Sequence, residues 1–110
     1  MEEKNNRYTL VFSEYFDIQL LEIYVYLAEI EYRPDTAEKI IDGIFQLIFE
    51  EIKFRPFAFP QSIGFKKYRE NYRQVVYKSW IITFKVTAEI IEILTIVHGS
   101  RHPKRRIRKR

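Results

Sequence analysis

A chain of 110 residues, 46% of them apolar, supports one hydrophobic core, so residues 1–110 are read as a single domain, with 1–6 and 104–110 expected to be flexible. There is no cysteine, which excludes disulfides and thiolate metal sites; no run nears the roughly 20 apolar residues of a membrane span, and the charged start MEEKNNRYTL has no signal-peptide pattern. The cytoplasm is therefore the expected compartment, and the formal charge of +4 divides into −7 over residues 1–54 and +11 over residues 55–110, a field that attracts phosphate or an acidic protein surface.

Residues 7–12, RYTLVF, alternate and predict a first strand. Ser13 is placed to cap a helix, with Glu14 and Asp17 in the first turn, where the helix dipole favours negative charge. Phe16, Leu20, Ile23, Tyr24, Leu27 and Ala28 then fall at helical spacing and make one core stripe. The EYRPD segment breaks the pattern. Pro34 suits a helix start, and Asp35 followed by Glu38 has the spacing of a capping box. Ala37, Ile40, Ile41, Ile44, Phe45, Ile48 and Ile52 predict a second amphipathic helix of about five turns. The short connection predicts an antiparallel helical hairpin.

Pro56 and Pro60 end that helix and open a loop that runs through Lys66, Lys67 and Arg69. Three strands follow, YRQVVY (72–77), WIITFKV (80–86) and IIEILTIV (90–97), joined by short turns at Lys78-Ser79 and Thr87-Ala88-Glu89. In the second, Trp80, Ile82, Phe84 and Val86 share a face opposite Thr83 and Lys85. The third is apolar on both faces, as an inner strand is. The fold class is therefore α+β, in the order β-α-α-β-β-β: an antiparallel sheet with a two-helix hairpin packed on one face.

That order, the proline-bearing loop RPFAFPQS, and YRQVVYKSWIITFKV followed by IEILTIVHGSRHP together resemble the RelE/ParE family of toxins from type II toxin–antitoxin modules. The similarity spans Arg7 to Pro103, and the ending of aliphatic strand, His, small residue and Arg is closest to the ParE-like members. The resemblance implies a bacterial toxin, of the kind that stabilises plasmids and inhibits growth, held inactive in a hetero-oligomer with a cognate antitoxin and needing no cofactor. ParE-like members bind DNA gyrase; RelE-like members are ribosome-dependent endoribonucleases acting on mRNA.

The nuclease chemistry needs a base, an acid and fixed positive charge on the phosphate. If this chain performs it, the resemblance points to His98, Arg73 and Arg101 as the catalytic set. Lys66, Lys67, Arg69, Lys85, His102, Lys104, Arg105 and Arg106 are the basic candidates for target or RNA binding. Each has a plain structural alternative: Arg73 as an exposed strand arginine, His98 as a strand-end histidine hydrogen-bonded to its loop. Past Trp80 there is no tyrosine, which departs from the RelE-like pattern and favours ParE-like protein binding. Two histidines four residues apart on a turn, without a nearby carboxylate, do not make a metal site. Gly99 is read as the turn that leads the chain away from the last strand. The basic block from Lys104 to Arg110 reads as a docking element for an acidic surface or for RNA.

Overall fold

Ser13 marks the change from first strand to first helix in the computed structural model, which describes residues 8–62 and 71–101. β1 (Thr9–Phe12) turns Leu10 and Phe12 toward the core and leaves Thr9 and Val11 exposed. Ser13 has extended backbone, and its Oγ accepts the Phe16 N–H at 2.9 Å, the cap that begins α1 (Glu14–Val25). The expected stripe is the buried one: Phe16, Leu20 and Leu27 lie in the core, with Ile23, Tyr24 and Ala28 packed against it. A π-helical turn, Tyr26–Ile30, closes this helix with the Glu31 N–H donating to the Tyr26 carbonyl at 2.9 Å.

α2 (Pro34–Leu47) begins with Pro34 in its first turn, as expected, but the cap differs from the sequence reading. Arg33 occupies the N-cap and makes no side-chain capping bond, so Asp35 lies inside the first turn. Proline at the first helical position makes its predecessor the cap, which moves the Asp35–Glu38 pair too far along for a capping box. Ala37, Ile40, Ile44, Ile48 and Ile52 are buried along one face, through a π turn at Ile48–Ile52. A short 3₁₀ turn, Pro56–Ala58, follows.

The sheet comprises β1, β2 (Asn71–Tyr77), β3 (Trp80–Val86) and β4 (Ile90–His98) in the order β1-β4-β3-β2. β2, β3 and β4 are antiparallel, as expected, and β1 joins the outer side of β4 in parallel, which makes the sheet mixed. The two helices form the crossover that a parallel connection requires. Both cover one face, where Ile82, Phe84, Val86, Ile91, Ile93 and Ile96 complete the core. Phe12, Phe16, Phe45 and Phe49 bind β1, α1 and α2 together with ring centroids 5.7–6.1 Å apart.

β4 is apolar on both faces partly because of a bulge. Thr83 pairs with Thr95 and Phe84 with Ile93, which leaves Leu94 without a partner on β3. The extra residue reverses the inward–outward phase, so Ile96 joins Ile91 and Ile93 in the core despite the odd spacing. At the far end of the sheet, Gly43 of α2 lies under the Tyr77 ring. A Cβ on Gly43 would come 2.7 Å from Tyr77 Cζ, which is why a glycine sits in mid-helix there.

Candidate functional site

β1 ends at Phe12, opposite Ile93. Among the described residues, β4 therefore has no strand beside it on that side from Leu94 onward, and α1 stands in. Ser13 donates its backbone N–H to the Ile93 carbonyl at 3.0 Å and its hydroxyl to the Leu94 carbonyl at 2.7 Å. Nearly two turns on, Gln19 Oε1 accepts the Ile96 N–H at 2.9 Å. Past Gln19 the helix and the strand edge separate around a groove of about 800 Å³.

The groove is apolar. Leu21, Val25, Tyr26 and Ile30 form its helical wall, and Trp80 and Ile96 its sheet wall, with His98 and Ser100 at the end. Leu21 is 62% exposed, Ile30 62% and Tyr26 50%, far more than large apolar side chains show in a well-covered surface. Ile18 continues the same face of α1 and is also exposed. α1 is thus apolar on two sides, one filled by the core and one open. At its C-terminal end the Tyr26 hydroxyl donates to Glu31 Oε2 at 2.9 Å, and Arg33 donates to the other carboxylate oxygen at 3.2 Å. The hydrogen bond to Glu31 raises the Tyr26 hydroxyl pKa above its ordinary value.

The residues singled out for chemistry lie elsewhere or apart. Arg73 is held by its surroundings: Nε donates to Asn71 Oδ1 at 2.8 Å, Nη1 donates to the Phe59 carbonyl at 2.7 Å, and the guanidinium lies 4.8 Å from the Phe57 ring centroid. Backbone bonds from Ser62 to Tyr72 and from Gln74 to Pro60 fix the same loop to β2. His98 lies at the strand end as expected. Its Nδ1 accepts the Ser100 N–H at 3.2 Å and lies 3.0 Å from Ser100 Oγ, and its ring meets Trp80 edge-on at 6.2 Å. That bond places the proton of the neutral ring on Nε2.

Arg73 pairs with Phe84 and His98 with Trp80, so the two lie four residues apart along β3 and on opposite flanks of it. Their Cα atoms are separated by on the order of 16 Å at ordinary strand spacings. They do not converge on one phosphate. Lys85 points to the open face of the sheet between its cross-strand partners Tyr72 and Glu92, its Nζ 5.8 Å from the Tyr72 ring centroid. β4 ends at His98 and a 3₁₀ turn, Gly99–Arg101, follows, as the reading of Gly99 anticipates. The turn needs no left-handed backbone, since no glycine among the described residues has positive φ, and the Gly99 N–H donates to the Ser79 carbonyl at 2.7 Å. Arg101 ends that turn. Lys66, Lys67, Arg69, His102, Lys104, Arg105 and Arg106 lie outside the described residues, as do the two terminal segments. No group of three metal-ligating side chains occurs among the described residues, and no helix in them is long and apolar enough to cross a membrane.

Sequence reading missed the groove itself. Gln19, Leu21, Val25, Tyr26 and Ile30 went unremarked, although Ile18, Leu21 and Val25 repeat at helical spacing off the buried stripe and carry the signal.

This arrangement of two helices on one face of a four-stranded mixed sheet is a RelE/ParE-like toxin fold. Among solved structures, the chain resembles one from the chromosomal ParDE TA (toxin–antitoxin) system from P. aeruginosa, with a TM-score of 0.66 and 18% identity over 86% of this chain and 98% of that one. It also matches YafQ from E. coli strain BL21(DE3), with a TM-score of 0.49 and 16% identity over 84% and 94% of the two chains. No protein-family model matches the sequence, and no curated protein matches it.

Proposed function

We propose that the chain is the toxin of a type II toxin–antitoxin module in the bacterial cytoplasm, of the ParE-like kind. On this reading it inhibits growth by binding a cellular protein target such as DNA gyrase, and a cognate antitoxin neutralises it in a hetero-oligomer. The observation that carries the reading is a contrast between two places in the fold. One is an open apolar groove beside a strand edge, which suits the docking of a helix or strand from another chain. The side chains that a nuclease would use, Arg73 and His98, are instead engaged in local bonds and stand apart. A binding protein needs the first, and an acid–base catalyst needs the second to converge.

The test is tightly controlled expression with two assays side by side. We expect growth arrest that is relieved by a small neighbouring open reading frame carrying a DNA-binding head and an amphipathic tail. Purified protein should inhibit gyrase supercoiling and leave ribosome-bound mRNA intact. Ribosome-dependent cleavage of mRNA, lost on His98→Ala, overturns the reading in favour of an mRNA interferase.

A further inference from the structure

We propose that the groove between α1 and the free edge of β4 is a docking site for the chain's own basic segment, residues 102–110. The inference rests on the groove and its charge, not on the toxin reading.

The argument starts with what the groove selects. From Tyr8 to Tyr32 the chain has five carboxylates, on Glu14, Asp17, Glu22, Glu29 and Glu31, and no lysine or arginine. Glu22 lines the groove. Glu31 is engaged by Arg33 and Tyr26, whereas Glu14, Asp17, Glu22 and Glu29 have no ion pair among the described residues. An apolar channel whose described lining holds a carboxylate, Glu22, and no lysine or arginine disfavours a second copy of itself, because like charges would be brought together as the apolar surfaces met. It accepts a segment that is basic and carries some apolar surface.

Residues 102–110 have that composition. HPKRRIRKR holds six lysines and arginines, no acid, and Ile107 in their midst. The segment follows directly on Ser100 and Arg101, and Ser100 lines the end of the groove. Nine residues reach about 30 Å when extended. The helical wall from Gln19 to Ile30 spans about 17 Å at 1.5 Å per residue, so the segment can run its whole length. Arginine stems and Ile107 would cover Leu21 and Val25, and guanidinium groups would stack on Tyr26 and Trp80. Attachment to the groove's end gives an effective concentration in the millimolar range, so a weak intrinsic affinity is enough to populate the docked state. Any partner segment that uses the same groove must displace this occupant first.

The natural absence of cysteine makes a cross-linking test clean in the full-length chain. One double variant carries Val25→Cys and Ile107→Cys. The matched control carries Val76→Cys and Ile107→Cys: Val76 is exposed on β2 and belongs to the cross-strand row Val76–Ile81–Val97 at the same end of the sheet, within the segment's reach. At low salt with a mild oxidant, the intramolecular 25–107 disulfide should form at least tenfold faster than 76–107. That advantage should collapse at 1 M salt and shrink on adding Glu22→Gln and Glu29→Gln. Equal rates in the two pairs, a preference indifferent to salt, or disulfides between two copies overturn the proposal. The wild-type chain gives a second readout through its single tryptophan, Trp80, in the groove wall. Its emission should change between low and high salt, and substituting glutamine for the six basic residues of 104–110 should abolish the change. Identical salt responses in the two proteins also overturn it.

Discussion

Gln19 Oε1 accepts the Ile96 backbone N–H at 2.9 Å, so a helix side chain takes the place of a missing strand neighbour 77 positions away in sequence. Gln19→Ala leaves that strand-edge donor without its partner and should cost about 1–3 kcal/mol. Gln19→Glu retains an acceptor and should cost less. Chemical denaturation measures both, and amide exchange at Ile96 should accelerate in the alanine variant before other β4 amides respond.

A methyl group on Gly43 collides with the Tyr77 ring. Although alanine is the better helix former, Gly43→Ala should therefore destabilise the protein, by about 1–3 kcal/mol as for other overpacked cores. Tyr77→Leu removes the obstructing ring. In the double variant the two losses should fail to add, with a coupling of at least about 0.5 kcal/mol. Strict additivity would show that the helix and β2 do not meet there.

Arg73 fastens the 56–62 loop to β2 through two hydrogen bonds and a ring contact. Arg73→Ala should lower stability by about 1–3 kcal/mol and expose the loop to protease. Arg73→Lys should rescue little, because an ammonium group cannot reproduce the fork that reaches Asn71 and Phe59 together. An arginine kept for phosphate binding would behave in the opposite way, with stability intact and activity gone.

Leu21 is mostly exposed, so Leu21→Glu should leave the melting temperature within a few degrees of wild type. If the groove is a docking site, the same change puts a charge against the docked apolar surface and should weaken antitoxin binding at least tenfold, or about 1.4 kcal/mol. Calorimetric titration with the purified antitoxin checks this. Unchanged affinity would place the interface elsewhere.

Much of the fold was legible because local signals and global packing agree. The buried faces of Phe16–Ala28 and Ala37–Ile52, the cap at Ser13 and the three later strands all follow from spacing and a few punctuating residues. The parallel pairing of β1 with β4 was not legible, since it depends on contacts some 80 positions apart, such as Thr9 with Ile90. The bulge at Leu94 was hidden because an uninterrupted aliphatic run has no phase to break. The groove was overlooked for a related reason. Once Phe16, Leu20 and Leu27 had been assigned to the core, Ile18, Leu21 and Val25 read as ordinary surface residues, and only their exposure together in three dimensions distinguishes them. His98 and Arg73 were found as residues but not as a pair; what separates them is strand register, which a single sequence does not encode.

The position of β4 bears on how the molecule is made. It is synthesised after the other three described strands, yet it lies between β1 and β3 and gives the sheet its continuity. A nascent chain that stops before Ile90 holds only the β2–β3 hairpin and a first strand with nothing to pair against, so its sheet cannot assemble. The native sheet, and any activity that depends on it, must therefore wait until β4 has been synthesised. Premature termination or proteolytic loss of the final strand yields an inert product rather than a weakened one.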